Sequence, residues 1–244
     1  MADISVERRE GIVTLILDQP RRRNAMSESM WDKLFDELAR IDGSSSDRVL
    51  ILTGRGDAFC SGSDMRSPIR PTELPEVRMQ RANRAVATLH SLRKPTIAKV
   101  RGCSVGGGAQ LALACDLVVA SEDAYFSEMF VSIGLSLDVG GSWLLPRLVG
   151  LQRAKRLALL SERIDARSAA EMGLISHVVT SADLDAQVAL IASKLSDASG
   201  QAVLATKLLL NNSFERTFEQ ALAAEAACQV LNETESGSHS GTHL

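Results

Sequence analysis

Residues 94–126 read KPTIAKVRGCSVGGGAQLALACDLVVASEDAYF, and this stretch decides the fold class. It contains two short runs rich in β-branched residues, Thr96–Val100 and Leu117–Ala120, which are typical of strands. Between them lie a glycine-dense turn and an apolar segment, Ala109–Ala114, that is predicted to be helical. Because a strand, a helix and a second strand follow each other closely, the two strands are expected to pair in parallel with a helical crossover. The sequence therefore predicts an α/β fold.

The rest of the chain extends this pattern without a linker that separates two domains. Strand-like runs precede it at Ile12–Asp18 and Arg48–Thr53, and mainly helical sequence follows it. We predict an α/β core over residues 1–190 and a helical C-terminal region over residues 191–232. Residues 233–244 (ETESGSHSGTHL) lack apolar periodicity and are predicted to form a disordered tail.

The composition of the 244 residues is that of an ordinary globular protein, with 45% hydrophobic and 23% charged residues. Lys and Arg number 27 against 30 for Asp and Glu, and this net charge of −3 argues against a dedicated nucleic-acid-binding protein. No apolar run reaches the about 20 residues that a membrane helix needs. The four cysteines show no CxxC spacing, which favours reduced thiols. We expect a cytoplasmic protein that binds neither nucleic acid nor a membrane.

Several common catalytic motifs are missing from the sequence. There is no P-loop, no GxGxxG dinucleotide fingerprint and no GxSxG nucleophile elbow. His239 and His243 have a spacing that can suit a metal ion, but they lie in a Gly/Ser-rich segment that is not expected to form a helix. We therefore predict no metal site.

Two glycine-bearing loops are the candidates for a catalytic site. The first is Ser61–Asp64 (SGSD), which follows a strand, and the second is Gly106–Gly108, which precedes the apolar helix. Glycine lets a substrate approach the backbone, and free N–H groups can stabilise a developing negative charge. If N–H groups from both loops meet at one point, they form an oxyanion hole. The alternative is that both loops are simple tight turns.

Asp138 is a candidate for a catalytic carboxylate. It lies in the segment LSLDVGG, and an aspartate before glycines is commonly a turn or helix-capping residue. Its neighbours Leu135, Leu137 and Trp143 are apolar, so the carboxylate can face a dry pocket. Partial desolvation would raise the pKa of Asp138 and make it a usable general base.

Several ordered segments together resemble the enoyl-CoA hydratase/isomerase (crotonase) superfamily. They are the stretch 94–126, IGLSLDVGGSWLLPRLVG at 133–150, AAEMGLISHVV at 169–179, and the earlier LDQPRRRNAM and AFCSGSDM. The resemblance implies a spiral of ββα units with a helical C-terminal trimerisation region, assembled as a homotrimer or a dimer of trimers. It also implies an acyl-CoA thioester substrate whose carbonyl oxygen lies between two backbone N–H groups. No cofactor is implied, since coenzyme A is part of the substrate.

Carried over to this sequence, the resemblance assigns the two oxyanion-hole donors to the N–H groups of Ser63 and Gly107. It places CoA along the basic turn after the first strand and along the first glycine-bearing loop. The residues that it assigns to substrate binding are Arg22, Asn24, Ser61, Gly62, Asp64, Met65, Gly106, Gln110 and Phe130.

Departures from the family pattern bear on the reaction. Hydratases of the family that this sequence resembles use two glutamates to position and activate water. By the resemblance, the matching positions here hold Gln110 and Phe130. Gln110 can hydrogen-bond a water but cannot act as a base, Phe130 can do neither, and Glu128 is two residues out of register. Asp138 matches the aspartate that serves as acid and base in some family isomerases. The sequence thus favours an isomerase that moves a double bond in an enoyl-CoA thioester over ordinary two-glutamate hydration.

Three alternative functions stay open. The first is an enoyl-CoA hydratase. The second is an acyl-CoA dehalogenase with Asp138 as nucleophile, which also needs a histidine on the preceding helix; His90 lies on that helix, about one turn from the matching position. The third is a homologue that binds CoA esters without catalysis, which Gln110, Phe130 and the unusual C-terminal sequence favour.

Overall fold

The computed structural model of the protein describes residues 3–66 and 74–239, with side chains as far as residue 234. Within these residues the chain forms two β-sheets with helices packed around them. The strands are β1 (Ile4–Arg9), β2 (Ile12–Leu17), β3 (Val49–Gly54), β4 (Thr96–Val100), β5 (Cys103–Val105), β6 (Leu117–Ser121), β7 (Tyr125–Ser127), β8 (Arg163–Asp165) and β9 (His177–Val179). The helices are α1 (Glu28–Gly43), α2 (Pro75–His90), α3 (Gly107–Leu113), α4 (Gly141–Val149), α5 (Leu151–Leu160), α6 (Ala166–Glu171), α7 (Leu184–Asp197), α8 (Gly200–Asn211) and α9 (Phe218–His239).

The larger sheet has six strands in the order β1-β2-β3-β4-β6-β9. β1 and β2 form an antiparallel hairpin, and both residues of its turn, Glu10 and Gly11, have positive φ, as a type I′ turn requires. All other neighbours in this sheet are parallel. The parallel pairing predicted for Thr96–Val100 and Leu117–Ala120 is confirmed, since these runs form β4 and most of β6.

The chain alternates between the larger sheet and a second, three-stranded sheet of order β5-β7-β8. β4 lies in the larger sheet and β5 in the smaller one, and α3 then returns the chain to β6 in the larger sheet. β7 repeats the step into the smaller sheet. This strand–strand–helix path is the spiral that the sequence predicts. It places the first turn of α3 directly after a strand of the smaller sheet.

The helices that support the spiral bury one face or more. On α1, Met30, Leu34, Leu38 and Ile41 recur at helical spacing and are fully buried. Ser27 caps the N-terminus of this helix, because its side-chain oxygen accepts a hydrogen bond from the Met30 N–H. All seven residues of α3 are buried, so its position is fixed by packing on every side.

The C-terminal region departs from the sequence prediction in two places. The boundary predicted at residue 190 falls inside α7, which packs on the larger sheet through Leu184, Val188 and Ala192 and therefore belongs to the core. The disordered tail was expected from residue 233, but α9 continues to His239, and residues 240–244 lie outside the described residues. Extending a helix that is already formed costs little, so a segment without apolar periodicity can remain helical.

Large apolar side chains are exposed on α8, on α9 and between them. Leu210, Phe214, Phe218 and Val230 are each more than half exposed. Several large exposed apolar side chains on neighbouring helices are typical of an interaction face.

In the described part of the chain, no helix is long and apolar enough to cross a membrane. No three His, Cys, Asp or Glu side chains within it are grouped so that they could hold a metal ion. The side chains of His239 and His243 lie outside the described residues. All four cysteines are free thiols.

Lys207 ties α8 to the core. Its ammonium nitrogen lies 2.8 Å from Asp116 Oδ2 and 3.1 Å from the carbonyl oxygen of Lys94. Asp116 Oδ2 also accepts hydrogen bonds from the N–H and the hydroxyl of Thr96. The Lys207 side chain is 7% exposed, so solvent screens this ion pair only weakly.

We predict that Lys207→Met lowers the free energy of unfolding by about 2 kcal/mol, because it leaves the partly buried Asp116 carboxylate without its cation. Urea unfolding at neutral pH measures the change. Lys155→Met, at an exposed position on α5, is the matched control and is expected to change the free energy by less than about 0.5 kcal/mol. Equal effects of the two substitutions would contradict the role given to Lys207.

Candidate active site

The loop that carries Ser63 is held between two backbone segments. The N–H of Met26 donates to the Gly62 carbonyl at 2.8 Å, and the N–H of Asp64 donates to the Met26 carbonyl at 2.8 Å. On the other side, the backbone of Cys60 exchanges two hydrogen bonds with β5. The loop is therefore fixed beside the residues that lead into α3.

The two predicted donors, Ser63 and Gly107, lie close to each other. A Cβ placed on Gly62 would lie 3.7 Å from the Gly107 nitrogen, and one placed on Gly107 would lie 3.9 Å from Ser63 Oγ. Among the described residues, neither the Ser63 N–H nor the Gly107 N–H donates a hydrogen bond to a protein acceptor. Two unused donors at neighbouring positions can bind one ligand oxygen, which is the arrangement of an oxyanion hole.

Glycine is required at two positions of the second loop. Gly106 has φ +53, a left-handed conformation that other residues rarely adopt. A Cβ on Gly108 would lie 2.4 Å from the carbonyl oxygen of Cys60 and 2.7 Å from the Cys60 Cβ. α3 can approach the first loop this closely because residue 108 has no side chain. This contact sets the separation of the two donors.

Asp138 lies in the turn before α4 and directly precedes Val139, which lies beside the second loop. The adjacent Val139 is buried, and its Cγ2 would lie 3.8 Å from a Cβ on Gly107. Val139 has φ +54, which is strained for a β-branched residue, and such strain is concentrated at functional sites. The Asp138 carboxylate is partly exposed and accepts a 2.6 Å hydrogen bond from the Val139 N–H. It forms no ion pair with any basic side chain in the described part of the chain.

Asp138 also lines a cavity of about 400 Å³ between α2 and α4. Val86 and Leu137 contribute apolar walls, and His90 and Trp143 line the same space. Small-molecule sites have volumes of about 300–1,000 Å³ and are mostly apolar with a few polar groups. Asp138 therefore lines a cavity of the size and character of a ligand site.

A second cavity, of about 330 Å³, is lined by Ser63 and by residues of the basic turn. Four arginines make its surroundings cationic, although Arg22 is paired with Asp64. An anionic group such as a phosphate fits this environment. The cavity brings together four of the predicted substrate-binding residues, Arg22, Ser61, Asp64 and Met65.

Asn24 has a different place from the predicted one. Its side chain is fully buried: Oδ1 accepts a hydrogen bond from the Gln19 N–H, and Nδ2 donates to the carbonyl oxygens of Arg55 and Ala58. Both amide hydrogens are used inside the protein, so the side chain has no donor for a ligand. Asn24 instead holds the shape of the basic turn.

Gln110 on α3 and Glu128 form a buried pair. Gln110 Nε2 donates to Glu128 Oε2 at 2.6 Å, and the two residues are 0% and 4% exposed. Burial raises the pKa of Glu128 to about 7, although the hydrogen bond from Gln110 acts in the opposite direction. A Cβ on Gly141 would lie 2.8 Å from Gln110 Nε2, so the pair also packs against the first residue of α4.

The hydrogen bond between Gln110 and Glu128 could not be predicted from the family resemblance, because Glu128 is two residues away from the position that matches a hydratase glutamate. The one signal in the sequence is that Glu128 is the only acidic residue between Tyr125 and Ile133. A single acid in such an apolar segment has to find a buried partner.

The model of a family described as enoyl-CoA hydratase/isomerase matches residues 7–243. The chain belongs to the enoyl-CoA hydratase/isomerase family.

Relatives in this family have names that refer to several different reactions. 1,2-Epoxyphenylacetyl-CoA isomerase of Escherichia coli (strain K12) is 39% identical over 188 residues, which are 74% of this chain and 72% of that protein. 2,3-Dehydroadipyl-CoA hydratase of the same organism is 33% identical over 242 residues, 99% of this chain and 94% of that protein. 4-Chlorobenzoyl coenzyme A dehalogenase-2 of Arthrobacter sp is 34% identical over 202 residues, 80% of this chain and 72% of that protein.

Solved structures of the family share the fold of this chain. A Thermobifida fusca YX protein crystallised in complex with CoA superimposes with a TM-score of 0.88 at 31% identity, covering 97% of this chain and 95% of that one. The spiral predicted from the sequence is thus the fold of the family. Because the relatives differ in reaction, the chemistry of this member has to be argued from its own site.

In this enoyl-CoA hydratase/isomerase family member, neither position expected for a hydratase glutamate carries a free carboxylate. The Gln110 amide is bonded directly to Glu128, which leaves no room for a water between those two atoms. Phe130 is buried, and its ring lies 3.8 Å from a Cβ placed on Gly106. Asp138 is the acidic side chain that lines the cavity of about 400 Å³.

We predict that Gly108→Ala lowers the free energy of unfolding by about 2 kcal/mol, because the new Cβ meets the backbone of Cys60 and forces the two loops apart. Urea unfolding measures the loss. Gly43→Ala is the matched control: nothing lies within 4 Å of its Cβ, so the substitution is expected to stabilise α1 by about 0.5 kcal/mol. A loss at residue 43 as large as that at residue 108 would show that the close contact is not the cause.

The raised pKa of Glu128 makes the stability of the protein depend on pH. In the unfolded chain this carboxyl group ionises near its ordinary pKa of 4.5, whereas in the folded protein it stays protonated up to about 7. Between these values the folded state holds one proton more than the unfolded state. The contribution of Glu128 to the free energy of unfolding is therefore predicted to fall as the pH rises from about 4.5 to about 7.

We predict that Glu128→Gln removes this contribution and makes the protein more stable than the wild type at about pH 8, by up to about 3 kcal/mol. Urea unfolding of both proteins at about pH 5 and about pH 8 measures the difference. Glu225→Gln, at an exposed position on α9, is expected to keep the wild-type pH dependence. Parallel loss of stability with pH in the wild type and in Glu128→Gln is the outcome that would refute the prediction.

Proposed function

We propose that the protein is an enoyl-CoA isomerase that moves the double bond of an enoyl-CoA thioester, with Asp138 as its single acid–base group. The observation that carries the proposal is the place of Asp138, which lines a cavity and directly precedes Val139, a residue that lies beside Gly107. The similarity to 1,2-epoxyphenylacetyl-CoA isomerase, at 39% identity, supports isomerisation. Gln110 and Phe130 at the glutamate positions argue against hydration.

The thioester carbonyl oxygen is proposed to accept hydrogen bonds from the N–H groups of Ser63 and Gly107. Negative charge moves onto this oxygen when a neighbouring proton is removed. The two donors stabilise that charge without moving, because hydrogen bonds and packing hold their backbones. Removal of one such donor typically raises the barrier by about 2.7–4 kcal/mol.

Asp138 is proposed to take a proton from C2 of a 3-enoyl thioester, which leaves a dienolate. The same carboxyl group then returns the proton to C4, so that the double bond comes to lie between C2 and C3. The proton removed equals the proton returned, and the carboxylate is regenerated. A positioned base of this kind typically contributes about 10²–10⁴-fold to the rate.

The CoA portion of the substrate is proposed to lie along the cationic cavity beside Arg22, Ser61 and Met65. Arginine side chains bind phosphate groups well because their planar donors match the phosphate oxygens. The similar Thermobifida fusca structure in complex with CoA supports this assignment. The mechanism uses no cofactor beyond the coenzyme A of the substrate.

We further propose that the protein assembles as a homotrimer or a dimer of trimers. The exposed side chains of Phe214, Phe218 and Val230 favour burial against another subunit. The cytoplasmic location and the absence of nucleic-acid and membrane partners stay predictions from the sequence.

Asp138→Asn is predicted to lower kcat for a 3-enoyl-CoA by about 10²–10⁴-fold while the Kd for the thioester changes little, because the amide keeps the size of the side chain but cannot accept the proton. The rate is followed by the absorbance of the conjugated product, and binding by calorimetry. Asp36→Asn, at an exposed position on α1, is the matched control and should keep the wild-type rate. Wild-type turnover by Asp138→Asn would overturn the proposed mechanism.

A panel of thioesters separates the isomerase from the alternatives left open by the sequence. The protein is incubated with 3-enoyl, 2-enoyl and 2,4-dienoyl thioesters. Conversion of the 3-enoyl compound supports the isomerase, and addition of water to the 2-enoyl compound alone supports a hydratase. Binding without any conversion supports a non-catalytic homologue.

An aspartate-nucleophile dehalogenase is the second candidate, because His90 lines the same cavity as Asp138. Burial lowers the pKa of His90 and thereby favours the neutral imidazole, which a general base requires. In this reaction the Asp138 carboxylate would displace chloride from the ring of a 4-chlorobenzoyl thioester, and water would then cleave the aryl ester. Chloride release with an aryl ester trapped on Asp138 would rank this function first.

A further inference from the structure

We propose that Trp143 and His90 select a compact acyl group that carries a ring. These two side chains, here called the aromatic wall, line the cavity of about 400 Å³ that Asp138 also lines. Asp138 is the proposed acid–base group, and we place the acyl group beyond C4 of the substrate in this space. The role of the aromatic wall rests on the proposed acyl-thioester substrate.

The indole of Trp143 is held from two sides. The His90 ring meets it edge-on, with the ring centroids 5.1 Å apart and the ring planes at 70°. The guanidinium of Arg147 lies 3.9 Å from the centre of the indole, and its Nη1 donates to the Trp143 carbonyl at 3.2 Å. A side chain held in this way keeps its shape when a ligand enters. The aromatic wall can therefore discriminate between ligands instead of adapting to each.

His90 is partly buried and meets the indole edge-on. Burial lowers its pKa, and the positive charge of Lys207 acts in the same direction, while Asp116 opposes it. Both members of the aromatic wall thus offer neutral ring surfaces to the cavity.

The size of the cavity suits a ring with a short linker. A cavity of about 150 Å³ is enough to bind benzene, and the present one is about 400 Å³. Val86, Leu137 and Leu144 provide further apolar surface, so a ring would be buried on several sides. Aromatic rings gain an additional attraction when they meet edge to face, which a linear alkyl chain does not gain.

Binding of saturated thioesters tests the aromatic wall independently of catalysis. The probes are phenylacetyl-CoA, hexanoyl-CoA and decanoyl-CoA, titrated into the full-length protein by isothermal calorimetry. We expect a Kd for phenylacetyl-CoA about tenfold lower than that for either linear thioester. Binding of decanoyl-CoA as tight as that of phenylacetyl-CoA would overturn the proposal.

Substitutions of the aromatic-wall residues test whether these side chains cause the preference for phenylacetyl-CoA over the linear thioesters. Trp143→Ala is expected to bring the three Kd values within about twofold of each other, whereas Trp143→Phe retains a ring and is expected to keep most of the preference. Leu148→Ala on the same helix, at a position 40% exposed, is the matched control and should bind like the wild type. If Trp143→Ala does not fold, His90→Leu, which removes the other ring, provides the same comparison. An unchanged preference in the folded wall variants would overturn the proposal.

The same experiments distinguish failure of the aromatic wall from failure of the proposed function. Ring preference in a protein that isomerises no enoyl thioester would overturn the proposed function and support the aromatic wall. Isomerisation without ring preference would overturn the aromatic wall and support the proposed function. If none of the three thioesters binds, both the aromatic wall and the proposed function would be overturned.

Discussion

The active site depends on one close contact between two backbone segments, the loop that ends in Ser63 and the first turn of α3. At Gly108 even a single added carbon would collide with the Cys60 carbonyl, so the separation of the Ser63 and Gly107 N–H groups is set by main-chain packing. The loop is hydrogen-bonded on both sides, and α3 is buried throughout its length. Donors held in this way need no reorganisation when negative charge develops, which makes such a site effective for thioester enolates.

The same scaffold leaves the choice of reaction to the residues around the two donors. Val139 lies beside the second loop with a strained backbone, and the preceding residue, Asp138, lines the adjoining cavity. Gln110 Nε2 donates a hydrogen bond to Glu128 within the core. The raised pKa of Glu128 therefore belongs to a buried carboxyl group that does not line the cavity beside Asp138. In the proposed mechanism, acid–base chemistry is assigned to a single partly exposed aspartate, Asp138. The buried pair supports the packing of α3 against α4.

The local features of the fold could be predicted from the sequence, whereas pairings between distant residues could not. The runs that became β4 and β6 are recognisable from their β-branched residues, and the glycines mark the tight approach of α3. Asn24 gives no comparable signal, because its partner Ala58 is 34 residues away and only the folded chain brings the two together. The Gln110–Glu128 bond spans 18 residues and lies outside the expected register. The sequence did not predict that α9 continues to His239. Extending an existing helix costs much less than starting one, so a segment that would not start a helix by itself can still continue one.

The most direct test of the central claim follows a single proton. A 3-enoyl thioester that carries deuterium at C2 is isomerised in ordinary water under single-turnover conditions, and the product is analysed by NMR. We expect part of the deuterium at C4, because one carboxyl group removes it and returns it while two amides hold the thioester oxygen. Product without any deuterium at C4 would contradict transfer by a single carboxylate.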